Sequence, residues 1–186
     1  MTSVDDLWYL ADGARQQAER TYHRIREAHG DFREFETHKT VSRRRFQTVA
    51  DRIDDNGAPY GAHTLAYRES GELLLVRHEG VDLWVLPGGE TDDGEDFHAA
   101  ARRELGEEAG ISADFHGLGL LGRVWFHSGD HTTWGVLPIF EARPTSTDLE
   151  VADPDGEISA ARWFEDLPED TRDREQLLEW RAARLG

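Results

Sequence analysis

Apolar side chains recur every three or four residues near the start of the chain, at Val4, Leu7, Ala11, Ala14, Ala18, Tyr22 and Ile25. That is the spacing of one face of an α-helix. Ser3 suits its N-cap, Asp5 and Asp6 its first turn, and Gly30 its end. A shorter helix is predicted over residues 41–53, with Phe46, Val49 and Ile53 as its stripe and Asp55-Asn56-Gly57 breaking it. From Tyr60 the period falls to two, or the apolar residues run together. "GAHTLAYRES" and "GELLLVRH" predict two strands joined by a tight turn at Glu69-Ser70-Gly71. "DLWVLPGG" predicts another strand, and residues 95–108 an alanine-rich helix opened by Asp92, Asp93 or Gly94. "GLLGRVWFH", "TTWGVLPIFEA" and "ISAARWFE" predict three further strands, and "LPEDTRDREQLLEWRAARL" a terminal helix. The pattern thus divides into a helical extension, residues 1–58, and a region mixing strands with helices, residues 59–186.

Composition narrows what such a chain does. At 186 residues and 38% hydrophobic content it is long enough to bury a core. No apolar run reaches the roughly 18 residues of a membrane span, and "MTSVDDLWYL" carries acids where a signal peptide carries bases, so a soluble cytoplasmic protein without membrane partners is expected. With no cysteine, any metal must sit on oxygen or imidazole. The net charge of −17 argues against nucleic-acid binding driven by phosphate contacts over most of the surface. Lys39 is the only lysine, and an acid-rich, lysine-poor chain resembles proteins of halophilic organisms, where molar salt screens self-repulsion within about 3 Å. Residues 1–60 are nearly balanced, with 10 basic and 11 acidic side chains. Arg43-Arg44-Arg45 is the one basic cluster, open to reading as a solvated helix face or as a phosphate- or partner-binding patch.

"GLGLLG", residues 117–122, has the spacing of a dinucleotide-binding turn, but strand-like Arg123-Val124-Trp125-Phe126 follows where a helix should. These glycines read as strand or bulge positions. The chemistry lies instead in "GGETDDGEDFHAAARRELGEEAGI", residues 88–111. On a helix Glu104, Glu107 and Glu108 occupy positions i, i+3 and i+4, so three carboxylates crowd one face and repel. An oxygen-only, multiply charged face suits Mg²⁺ or Mn²⁺ better than zinc, and such ions are completed by waters and substrate phosphates. Arg103 can hold neighbouring carboxylates in a bidentate pair, with Glu95 and Glu107 as candidates. The plainer reading, a solvated helix face in an acidic chain, stays open on spacing alone. His127 and His131, bracketing "FHSGDH", are candidate phosphate contacts or ordinary loop residues. Trp125, Phe126 and Trp134 are candidate base-stacking groups or core.

The segment resembles the Nudix box, G-x5-E-x7-R-E-U-x-E-E-x-G-U with U aliphatic, at Gly89, Glu95, Arg103, Glu104, Leu105, Glu107, Glu108, Gly110 and Ile111. The resemblance implies an α+β Nudix fold over residues 59–186, a mixed sheet sandwiched between helices (α/β/α), and leaves residues 1–58 uncovered. It implies Mg²⁺-dependent hydrolysis of a nucleoside diphosphate linked to another moiety, by water attack at phosphorus. Glu104, Glu107 and Glu108 would be metal ligands or base and the Gly88 carbonyl a further ligand, with Arg103 and Glu95 as supports. Members often recruit a later acid, for which Glu157 is the candidate, with Glu150 behind it. The sequence lacks the subclass markers of ADP-ribose, diadenosine-polyphosphate, coenzyme A and NADH hydrolases, so a generic nucleotide pyrophosphatase is expected. The alternative is a nucleotide-sensing regulator that does not cleave, and the extension is a candidate for homodimerisation through its apolar stripe.

Overall fold

The computed structural model describes residues 4–186, so the expected cap at Ser3 lies outside the described residues. The chain forms two compact units, residues 1–60 with 120–138, and residues 61–119 with 139–186. Among the described residues the elements run α1 (Val4–Ala28), β1 (Arg33–Thr40), α2 (Arg43–Asn56), β2 (Ala62–Ala66), β3 (Leu73–His78), β4 (Leu83–Val85), β5 (Gly88–Gly89), α3 (Phe97–Ala109), β6 (Ala113–Ser128), β7 (His131–Pro144), β8 (Ile158–Phe164) and α4 (Arg174–Leu185).

In the first unit Leu7, Ala11, Ala14, Ala18, Tyr22 and Ile25 of the α1 stripe are buried, Leu7, Ala14 and Ala18 completely, and α1 packs on α2. Phe46, Val49, Ala50 and Ile53 are the buried face of α2. Ser42 caps α2 by accepting a hydrogen bond from the Arg45 N–H, and Gly57 ends it in the left-handed region at φ 91°. A side chain at Gly57 would also meet Thr21 Oγ1 at 2.2 Å. The stripe of α1 is therefore covered within its own unit and is not the free dimer face expected from sequence.

The extension is not wholly helical. Between its helices β1 pairs in parallel with β6, Arg33 opposite Leu120 through Thr40 opposite His127. "REFETHKT" hides this because an outer strand exposed on one face and only half-buried on the other needs few apolar residues, and only Phe35 is one. The compact unit correspondingly takes in residues 120–138, which lie far beyond the boundary at residue 58.

The second unit holds mixed pairing. β2 runs parallel to β7 and antiparallel to β5, with His63 opposite Ile139 and Gly88. All five residues of β2 are buried. β3 lies between β4 and β8, antiparallel to both, with an irregularity at Arg77/His78. The turn expected after β2 forms, with Arg68 N–H bonded to Glu72 O at 3.0 Å. The hairpin does not extend from it, because the sides of β2 are already taken by β7 and β5 and β3 joins the other sheet. Leu74, Val76, Val85, Leu105, Ala109, Ile111 and Ile158 fill the core between strands and α3. α3 starts two or more residues later than the sequence suggested, capped by Asp96, whose Oδ1 accepts the Ala99 N–H at 2.8 Å. α4 likewise begins only at Arg174. Gly117, within β6 at φ 102°, is a strand glycine as expected.

Candidate active site

Two acids of α3 are brought to β5 by the packing of apolar residues on the same face of the helix. Ala100, Ala101, Leu105 and Ala109 are buried, which turns Glu104 and Glu108 inward as well and leaves them 8% and 7% exposed. Gly88 N–H donates to Glu108 Oε2 at 3.1 Å. Gly89 lies so close to Glu104 that a side chain there would meet Glu104 Oε1 at 2.6 Å, and one at Gly88 would meet the His63 ring at 2.5 Å. Only the paired glycines let the strand approach this close.

Arg103 organises the cluster. Its Nε and Nη2 form a two-pronged pair with Glu95 at 2.9 and 3.0 Å, while Nη1 reaches Glu104 at 2.9 Å and Glu107 at 3.2 Å. Nη2 also donates to the Glu90 carbonyl, and Asp92 lies 3.2 Å from Nε. Glu95 in turn accepts the Asp92 N–H. The Arg103 hydrogen bonds hold Glu95 below the usual carboxylate range. Burial acts the other way on the two inward acids: it raises Glu104, and it pushes Glu108 up to about 9 against the opposing Gly88 hydrogen bond. A single guanidinium does not neutralise this face, and Glu108 has no cation of its own among its interactions.

The loop before β8 adds acids. Glu157, with its side chain 61% exposed, has Oε2 3.3 Å from His78 Nε2 and is near enough to raise Glu108 further. Asp153 and Asp155 also face the cluster, raising Glu108 and Glu104 respectively. Sequence reasoning passed over both, although "DPDGE" is a dense run of acids beside a strand. Asp153 shapes the loop too, accepting the Glu157 and Ile158 N–H groups at 2.6 and 2.8 Å. Glu150 sits elsewhere, fastened by its backbone to Ala109 O at the end of α3. His127 and His131 belong to the first unit, where His127 bonds His38 and Thr132, and His131 packs on Phe46. Phe126 and Trp134 are buried there.

No three acidic or imidazole side chains among the described residues converge into a ready cage for a cation. Mg²⁺ does not need one, since one or two carboxylates with waters and substrate phosphates suffice. The donor set is oxygen only, and Glu104 and Glu108 are buried at raised pKa, so a hard divalent cation fits it.

Residues 58–180 match the NUDIX domain, and the chain belongs to that family. It is 36% identical over 89 residues to a putative 8-oxo-dGTP diphosphatase of Bacillus subtilis, covering 47% of this chain and 60% of that protein. An RNA pyrophosphohydrolase of Novosphingobium aromaticivorans is 34% identical over 129 residues, 54% of this chain and 79% of that one. The solved structure of a MutT NUDIX hydrolase from Burkholderia pseudomallei superposes at a TM-score of 0.50 and 28% identity, over 64% of this chain and 95% of that one. The α+β architecture with mixed sheets is the one expected of the family.

Proposed function

We propose that this chain hydrolyses a phosphoric anhydride bond in a nucleotide, a nucleoside diphosphate carrying a further group, with Mg²⁺ or Mn²⁺. The supporting observation is the α3 face itself: an intact box whose inward carboxylates crowd at raised pKa around one arginine. Glu104, Glu107, Glu108 and the Gly88 carbonyl would hold the cation. It would neutralise charge on the bridging oxygens and polarise the attacking water.

Arg103 and Glu95 fix the carboxylates in place, and Gly88 and Gly89 let the strand reach them. Glu157, exposed at the rim, would take the water's proton as its oxygen attacks phosphorus and the P–O anhydride bond breaks to two phosphate products. The names of the relatives, an 8-oxo-dGTP diphosphatase and an RNA pyrophosphohydrolase, support nucleotides as the substrate class. The acidic, lysine-poor composition supports a salt-adapted cytoplasmic protein, and no described helix is long and apolar enough to cross a membrane.

The test is product release from nucleoside triphosphates, oxidised nucleotides, ADP-ribose, dinucleotides and 5′-triphosphate RNA, with Mg²⁺ or Mn²⁺, at low and molar KCl. Turnover that disappears in Glu107→Gln/Glu108→Gln supports the hydrolase. Nucleotide binding without turnover by folded protein would replace this reading with the non-cleaving regulator.

A further inference from the structure

Beside the carboxylates of α3 the second unit carries a small group of opposite character. His63 stands on β2 opposite Gly88, the glycine whose N–H holds Glu108, and its ring lies so close over that glycine that a side chain at Gly88 would meet Cγ and Cδ2 at 2.5 Å. Only 9% of His63 is exposed, yet its buried Nδ1 bonds no protein group among the described residues. His78, at the end of β3, is in the same condition: Nε2 lies 3.3 Å from Glu157, while Nδ1 is buried and bonds no protein group. Contacts run from His63 through Gly88 to Glu108, which feels Glu157, and from Glu157 to His78, so both imidazoles border the acidic cluster. Burial, then the charges of Arg172 and His78, push His63 down to about 3, so its ring is neutral at pH 7 and sits in a positive field. Arg172 is held in this unit by its backbone N–H, which donates to Trp84 O of β4 at 2.9 Å. Arg77, next to His78 in β3, pairs with Asp82 and Asp170, whereas none of the nearby acids bonds Nδ1 of His63. A buried polar atom left unpaired costs stability, and in a positive field the partner that fits it is an anion. A neutral imidazole carries one N–H, and an anionic oxygen at Nδ1 selects the tautomer that places it there.

We propose that His63, with Arg172, seats an anionic group of the substrate beyond the two phosphates of the scissile anhydride, so that the further group on the nucleotide carries a phosphate of its own. This rests on the reading of α3 as the hydrolytic face: a cation there offsets the charge of the anhydride, and a third phosphate must find positive charge elsewhere. The substrate class favoured is a nucleoside triphosphate over a nucleoside diphosphate joined to a neutral sugar. A sugar hydroxyl offers the seat a hydrogen bond but none of the charge, and charge-assisted hydrogen bonds are roughly twice as strong. The net charge of −17 makes the seat matter more, since an added phosphate is otherwise repelled by most of the chain.

Calorimetry with the full chain and Mg²⁺ tests it, using two analogues that cannot be cleaved between phosphates: adenosine triphosphate with methylene in place of both bridging oxygens, and adenosine diphosphate with methylene in place of its single one. His63→Ala should weaken the triphosphate analogue about tenfold and the diphosphate analogue about twofold or less. Arg172→Gln should act in the same direction. His63→Asn, whose side-chain amide stands near the place of Nδ1, should recover part of the loss. Long-range proton–nitrogen NMR of the wild type gives the second readout: the His63 Nδ1 resonance should move with the triphosphate analogue and hold still with the diphosphate analogue. Equal loss of both analogues in His63→Ala assigns His63 to the structure alone and overturns the seat. An Nδ1 resonance unmoved by the triphosphate analogue overturns it too, even where His63→Ala does not fold, and so does absence of triphosphate binding. The hydrolytic reading fails separately. No turnover of any nucleotide, while the Nδ1 signal still follows the triphosphate, removes the hydrolysis and leaves the seat, and turnover with an unmoved signal does the reverse.

Discussion

Helices α2 and α3 each crowd like charges, and they resolve the crowding in opposite ways. On α3 Glu104 and Glu108 face inward, water is largely excluded from them, and Arg103 is drawn among Glu95, Glu104 and Glu107. On α2 Arg44 and Arg45, in the first turn, face out into solvent. Burial makes the difference. Crowded charge in a low-dielectric setting is neutralised by a partner, a proton or a ligand, whereas the same crowding in water costs only tenths of a kcal/mol. A buried crowd therefore marks chemistry more strongly than an exposed one of equal size.

Substitutions on the buried side should have the largest effects. Glu108→Gln is expected to lower kcat about a hundred- to ten-thousandfold on the best nucleotide substrate, with the fold kept by circular dichroism. Arg103→Ala leaves inward carboxylates without their cation and should cost about 2 kcal/mol or more in urea unfolding without metal. Arg103→Lys should recover only part, since an ammonium cannot form the two-pronged pair with Glu95. If both variants unfold like the wild type, Arg103 does not offset buried charge on α3.

The pH response sharpens the contrast. Glu108 is raised from 4.5 to about 9 in the folded chain, so between those values the folded state holds a proton that the unfolded state has lost. Metal-free stability should accordingly fall as pH rises through that window, by at most about 1.4 kcal/mol per unit from this group. Divalent metal must displace the proton, so Mg²⁺ affinity by calorimetry should rise with pH over the same range. A flat affinity profile would remove Glu108 from the metal set. On the exposed side effects are small: Ser42→Ala should cost about 1 kcal/mol through its lost cap, and Arg44→Gln/Arg45→Gln should gain a few tenths of a kcal/mol by thermal unfolding.

What could be read from residues alone follows the same division. Strong periodicity exposed α1 and α2, because a buried stripe needs apolar residues at fixed spacing, and box spacing exposed Glu95, Arg103 and the three glutamates. β1 escaped because an outer strand draws its stability from backbone pairing with β6, which the side chains of "REFETHKT" do not announce. Asp153 and Asp155 escaped because their relation to Glu108 and Glu104 is made by a loop, with no periodicity to project it. The hairpin at Glu69-Ser70-Gly71 was half right: local residues encode the turn, while the pairing of the strands beside it is decided by distant competitors.

The pairing of β1 also sets an order in time. His38 and His127 meet across 89 residues of sequence. At roughly 5–20 residues per second a ribosome takes about 4–18 s to make that intervening stretch. Through that interval α1 and α2 can form and meet each other, but the strand between them has no partner. β1 is thus secured only after β6 has been made, and its unpaired strand edge is what a nascent-chain chaperone would have most reason to cover.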